Sequence, residues 1–144
     1  MKKKGFTLIE LILIVAVMSI VAAMTPTFYS RFLLQNSVAN VKDQIAGSLR
    51  KAQIQSMTSK NADSWSVNYS SNTITLYKGN NFGVRDPSFD ETFAVNPSVS
   101  VSGLTDLSFE RVTGLPTPTS ATITISSGNN SDTITVNSQG VVNK

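Results

Sequence analysis

The chain has no cysteine and no histidine. Disulfides, thiol nucleophiles, imidazole bases and nearly all zinc and haem sites are thereby excluded together. A catalytic site would have to rest on Ser–Lys, paired carboxylates or Tyr. No enzyme, no cofactor and no metal site is expected. Charge is sparse too, with 12 basic and 9 acidic residues among 144. The length suits one domain, without need of a second core. The lack of cysteine leaves the compartment open, because an exported domain with an adequate core needs no disulfide.

What is present is unevenly spread. Phe6 to Met24 is almost wholly apolar, whereas Ser, Thr and Asn supply 35 of the 84 residues from Asn61 onward. The formal charge of +3 owes everything to Lys2, Lys3 and Lys4. Residues 6–60 carry five basic and two acidic side chains, and residues 61–144 carry four basic and seven acidic. The second part is therefore net negative and poorly suited to nucleic acid, whose affinity for proteins comes mainly from phosphate attraction.

Met1-Lys2-Lys3-Lys4-Gly5 is short, basic and closed by glycine, and the apolar run follows at once. Nineteen helical residues from Phe6 to Met24 would span roughly 28 Å, close to a bilayer's hydrocarbon core. The lysines should hold the N-terminal side in the cytoplasm and send the remainder outward. A secretory signal peptide would need a small-x-small site after the run, and Val21-Ala22-Ala23 offers a weak one that leads into more apolar sequence. A plain membrane anchor leaves Glu10 without a role, although a carboxylate in a membrane helix costs about 2.5–3.5 kcal/mol on insertion scales.

Gly5-Phe6-Thr7-Leu8-Ile9-Glu10 resembles the cleavage signature of type IV prepilins and type II secretion pseudopilins. The resemblance implies cleavage between Gly5 and Phe6 on the cytoplasmic side by a prepilin peptidase, followed by N-methylation of Phe6. Glycine, lacking Cβ, lets a protease approach the scissile bond. The new α-amino cation on Phe6 of one subunit can pair with Glu10 of its neighbour, so that two charges in an apolar core compensate each other.

Thr25-Pro26 interrupts the run, and Pro26 should bend the helix, as is usual in type IV pilins. Leu34, Val38, Val41, Ile45, Leu49 and Ala52 then recur at spacings of three and four, one apolar stripe with polar residues elsewhere. One long bent helix from about Phe6 to about Thr58 is predicted, its second half covered by a sheet. Trp65, Val67 and Tyr69 alternate with polar residues, Ser71-Asn72 marks a turn, and Thr73 to Tyr77 alternates again, which predicts a hairpin with Trp65 in the core. Further strands are expected near Thr92–Val95, Val99–Val101, Leu107–Arg111, Ala121–Ser126 and Thr133–Asn137. Gly114, Pro116 and Pro118 read as a surface loop, and Ser127–Asp132 as a polar one. Ser138-Gln139-Gly140 is a last turn before Val141-Val142. Leu49-Arg50-Lys51-Ala52-Gln53, Ile74 to Tyr77, Leu107-Ser108-Phe109 with Gly114, and Ile134 to Asn137 with Gly140 resemble minor pseudopilins of the GspH/FimT type.

Asp86, Asp90 and Glu91 lie close in sequence, as in an oxygen-rich calcium site, but their spacing matches no calcium loop and solvated turn acids are commoner. Some FimT-type pilins bind DNA through basic residues near the C-terminus. Here the tail after Asp132 offers Lys144 alone, and Arg85 and Arg111 are isolated in sequence and read as solvated. Phe82 reads as a surface aromatic.

The expected protein is α+β: a long N-terminal helix, transmembrane in its first half, packed in its second against an antiparallel sheet. Residues 1–5 are the leader, 6–26 the membrane and assembly helix, 27–60 the amphipathic helix of the head, and 61–144 the β-rich head. The resemblance implies a structural subunit, minor by its GspH/FimT-like head, of a type IV pilus or a type II secretion-like pseudopilus. Its partners would be other pilin or pseudopilin subunits, the prepilin peptidase and an inner-membrane assembly platform. It would sit single-pass in the bacterial inner membrane with the head outside the cytoplasm, then in an extracytoplasmic filament. The alternative is a minor pilin whose head binds DNA, a surface or a secreted cargo.

Overall fold

The computed structural model describes residues 5–144, and of residues 24–32 only that they belong to a helix. The leader residues 1–4 and the bend expected at Pro26 lie outside the described residues. The chain divides into two compact units, residues 1–33 and 34–144.

Helix α1 runs Leu8–Met57. In the first unit its described side chains form no core, and the apolar residues from Phe6 to Val21 are exposed all round. Among the described residues no helix is long and apolar enough to cross a membrane. The fully described part of the run ends at Ala23, one residue short of the expected span.

In the second unit α1 is one-sided, as its spacing predicts. Val38, Val41, Ile45, Ala46, Leu49 and Ala52 are buried, while Ala39, Asp43, Arg50 and Ile54 are exposed. Past Met57 the chain leaves the helix through left-handed Ser59, Asn61 and Ala62. Ser56 ties this exit down. Its Oγ accepts from the Trp65 amide at 2.8 Å, and its carbonyl accepts from the Val112 amide at 3.0 Å.

The strands are β1 (Trp65–Ser70), β2 (Thr73–Lys78), β3 (Glu91–Ala94), β4 (Ser100–Ser102), β5 (Asp106–Phe109), β6 (Pro116–Thr117), β7 (Ala121–Ser127), β8 (Asn130–Val136) and β9 (Val142–Asn143). They form two sheets, β3-β2-β1-β5-β6 and β4-β7-β8-β9, antiparallel in every pairing. The fold is α+β, with the helix packed against antiparallel sheet. Both sheets send apolar side chains into the core that covers α1: Trp65, Val67, Ile74, Leu76, Leu107 and Phe109 from the first, Ile123, Ile125, Ile134 and Val136 from the second. Thr122, Thr133 and Thr135 take the alternate, exposed positions, the pattern of a sheet with one wet face.

Three expectations need correction. Pro116 lies in a short edge strand and is buried opposite Phe109, an edge being where proline's missing donor costs no ladder bond. The polar stretch Ser127–Asp132 is mostly strand, because β7 and β8 are joined by the two-residue turn Gly128-Asn129, with Gly128 at φ 57°. Arg85 and Phe82 are half-buried rather than free on the surface. Phe82 meets Tyr77 edge-on at 5.5 Å, Arg85 lies 3.6 Å over the Phe82 ring, and Arg85 Nε pairs with Asp90 at 2.7 Å. Trp65 is buried as expected, its Nε1 donating to the Lys60 carbonyl at 3.0 Å.

Candidate functional site

Gly5, Phe6 and Thr7 precede the helix and Glu10 stands in its first turn. Thr7 and Glu10 close on each other. The Thr7 amide and hydroxyl donate to Glu10 Oε2 at 3.0 and 2.8 Å, and the Glu10 amide donates to Thr7 Oγ1 at 3.4 Å. This is a capping box: residue three of the helix reaches back to the capping residue, and the cap reaches forward to it. A helix start leaves amide donors without partners, and an acid there also suits the helix dipole. Glu10 therefore has a local task that sequence reasoning overlooked, and a plain anchor would account for it equally well. The signal was in view, Thr followed three residues later by Glu ahead of an apolar run.

Phe6 is 82% exposed, and among the described residues nothing lies within 4 Å of where a Gly5 side chain would begin. Residues 1–25 match the prokaryotic N-terminal methylation motif. The chain has a type IV pilin-like N-terminus. Neither the curated proteins nor the solved structures searched contain a match. The match covers Gly5, Phe6 and Glu10 and nothing of the head, so it speaks for the precursor type and not for any ligand.

In the head, the acids considered for calcium have separate partners. Asp90 pairs with Arg85, Glu91 takes Lys51 Nζ at 2.6 Å, and Asp86 accepts from the Ser88 amide at 3.0 Å and its hydroxyl at 2.7 Å. The Ser88 bonds hold the Asp86 carboxyl below its usual range. Among the described residues no cluster of His, Cys, Asp or Glu could hold a metal ion.

The basic residues weighed for DNA fare similarly. Lys144 Nζ meets Asp43 at 2.5 Å. Arg85 and Arg111 line two adjoining hollows that share Asp63 and Asn80. Lys78, Arg85 and Arg111 there face Asp63, Asp86 and Glu110, three cations against three acids, which does not make a positive surface.

Gln53, Gly114 and Gly140, distant in sequence, come together. Gln53 Nε2 donates to the carbonyls of Gly114 at 3.3 Å and Gln139 at 3.1 Å. Gly114 (φ 68°) and Gly140 (φ 78°) are left-handed, and a Cβ on either would run into Gln53 or its neighbour Met57. Two turns far apart in sequence are thus pinned to one turn of α1.

Proposed function

We propose that this chain is a structural, non-enzymatic filament subunit, minor and of the GspH/FimT type, serving a type IV pilus or a type II secretion-like pseudopilus. It is made as a membrane-anchored precursor, cut between Gly5 and Phe6 by a prepilin peptidase and methylated on the Phe6 nitrogen. The subunit then assembles with other pilin or pseudopilin subunits through its N-terminal helix. The methylation motif ahead of a helix that is apolar all round carries this reading. Such a helix must bury itself in lipid or against others of its kind.

Glu10 is the assembly carboxylate in this reading. In the unassembled chain it accepts two hydrogen bonds from a neutral threonine. Cleavage supplies a cation, whose full charge attracts the carboxylate as the uncharged donors of Thr7 cannot, most of all in apolar surroundings. Transfer of the carboxylate from Thr7 to the Phe6 amine of an adjacent subunit is therefore downhill, with Pro26 giving the helix the bend that packing needs.

Intact mass of the native mature protein tests both modifications at once, the expected product lacking residues 1–5 and carrying one added methyl group. Gly5→Glu should abolish trimming, and a product still starting at Phe6 would refute the cleavage site. Glu10→Leu should leave trimming intact and lower incorporation into filaments at least about tenfold, the equivalent of one lost charge-assisted bond. Unchanged incorporation would return Glu10 to the role of a helix cap alone.

A further inference from the structure

One bond of the capping box, from the Glu10 amide to the Thr7 hydroxyl, does more than satisfy a helix start: it decides whether the scissile carbonyl is free. In a helix each amide donates to the carbonyl four residues earlier. If α1 began one turn sooner, the Ile9 amide would engage the Gly5 carbonyl and the Glu10 amide that of Phe6. Instead the Glu10 amide is taken by Thr7 Oγ1, and the Thr7 carbonyl accepts from the Leu11 amide at 3.3 Å. The helix stops at Leu8, and Gly5, Phe6 and Thr7 stay outside it.

We infer that Thr7 is a positioning residue for leader removal, its hydroxyl standing in for the Phe6 carbonyl and so holding the Gly5–Phe6 peptide out of the helix. The inference rests on the proposed cleavage site and deepens it. Hydrolysis needs the Gly5 carbonyl carbon open to attack. Water oxygen bonds to that carbon, the C–N bond breaks, and both water protons go to the nitrogen, leaving a Gly5 carboxylate and a Phe6 ammonium. A carbonyl locked in a helical bond must first be released by local opening, which lowers the competent fraction of substrate. Without the threonine hydroxyl the Glu10 amide has no acceptor, and close to a bilayer an unpaired amide is costly. The cheapest remedy is to lengthen the helix backward over Phe6 and Gly5.

Thr7→Val keeps the shape and removes the hydroxyl, whereas Thr7→Ser keeps the cap. The full precursor in detergent micelles, treated with a purified prepilin peptidase, should be cut roughly 3- to 30-fold more slowly as Thr7→Val, the factor attached to one lost cap bond. Thr7→Ser should be cut at close to the wild-type rate. Hydrogen exchange should show the Ile9 amide newly protected in Thr7→Val and not in Thr7→Ser, which a general loss of folding would not produce. Cleavage of Thr7→Val at the wild-type rate, or slow cleavage without protection at Ile9, overturns the inference. If the wild-type precursor is itself not cut after Gly5, the cleavage reading fails instead.

Discussion

Leu13 and Leu49 lie on the same helix and are the same residue, yet Leu13 is 62% exposed and Leu49 not at all. The sequence around each explains the difference. Leu13 stands among apolar neighbours on every side, so no direction along the helix favours one partner surface. Leu49 belongs to a stripe bordered by Lys42, Asp43, Arg50 and Lys51, which fixes the side that the two sheets cover. Uniform apolarity suits an environment that is apolar all round, either lipid or a bundle of like helices. One-sided apolarity suits a single fixed partner within the chain. The division between a first unit without a core and the folded head is thus written in the periodicity of α1 as well as in its composition.

Replacing each leucine in turn probes that division most sharply. Leu49→Ala should lower the head's unfolding free energy by about 2–5 kcal/mol, the usual range for a buried leucine. Leu13→Ala should leave the head's urea midpoint where it was. A comparable loss from both would mean that the first unit packs within its own chain. Ser56→Ala comes next, since it strands the buried Trp65 amide and should cost about 1–3 kcal/mol by the same measurement. A smaller loss would show that water reaches the helix exit.

The smallest effect concerns the ion pairs of α1. The hydrogen bond from Lys144, and then its charge, hold Asp43 below the usual carboxylate range, and the hydrogen bond from Lys42 does the same for Asp132. Groups whose folded pKa is depressed lend stability above the unfolded value, about 3.9, and lose it as pH falls through the folded value. The head should therefore be equally stable at pH 7 and pH 5 and weaken below about pH 4. Both carboxylates are solvent-exposed, so the drop should be slight. In the Lys42→Ala, Lys144→Ala double variant it should shrink further, and an unaltered acid transition would assign it to other carboxylates.

The parts of the fold legible in the sequence were those where a local rule and the tertiary demand agree. Ser71-Asn72 links β1 and β2 with both residues left-handed, at φ 49° and 56°, as a tight hairpin requires. The stripe on α1 worked for the same reason. Pro116 escaped because proline argues against a strand everywhere but an edge, and edges are set by the whole sheet. Asn130, Ser131 and Asp132 escaped because their polarity outweighed the Gly-Asn turn signal just before them. Arg85 escaped because its partner Asp90 and its platform Phe82 meet only once the segment between β2 and β3 has folded. At the N-terminus the motif residues were read correctly as a pattern, while the Thr7–Glu10 contact inside that pattern was missed. A family signature draws attention to Glu10 and away from its neighbour.

The chain has a single tryptophan, and Trp65 lies sealed at the start of β1 beneath the ammonium of Lys60, 5.2 Å from the ring centre. Its fluorescence is consequently a built-in gauge of the head alone, with no indole elsewhere to contaminate it. Unfolding of the head in the Leu49→Ala and Ser56→Ala variants can be followed by it on unlabelled protein. Any step that alters that emission must reach the seam between helix exit and first strand.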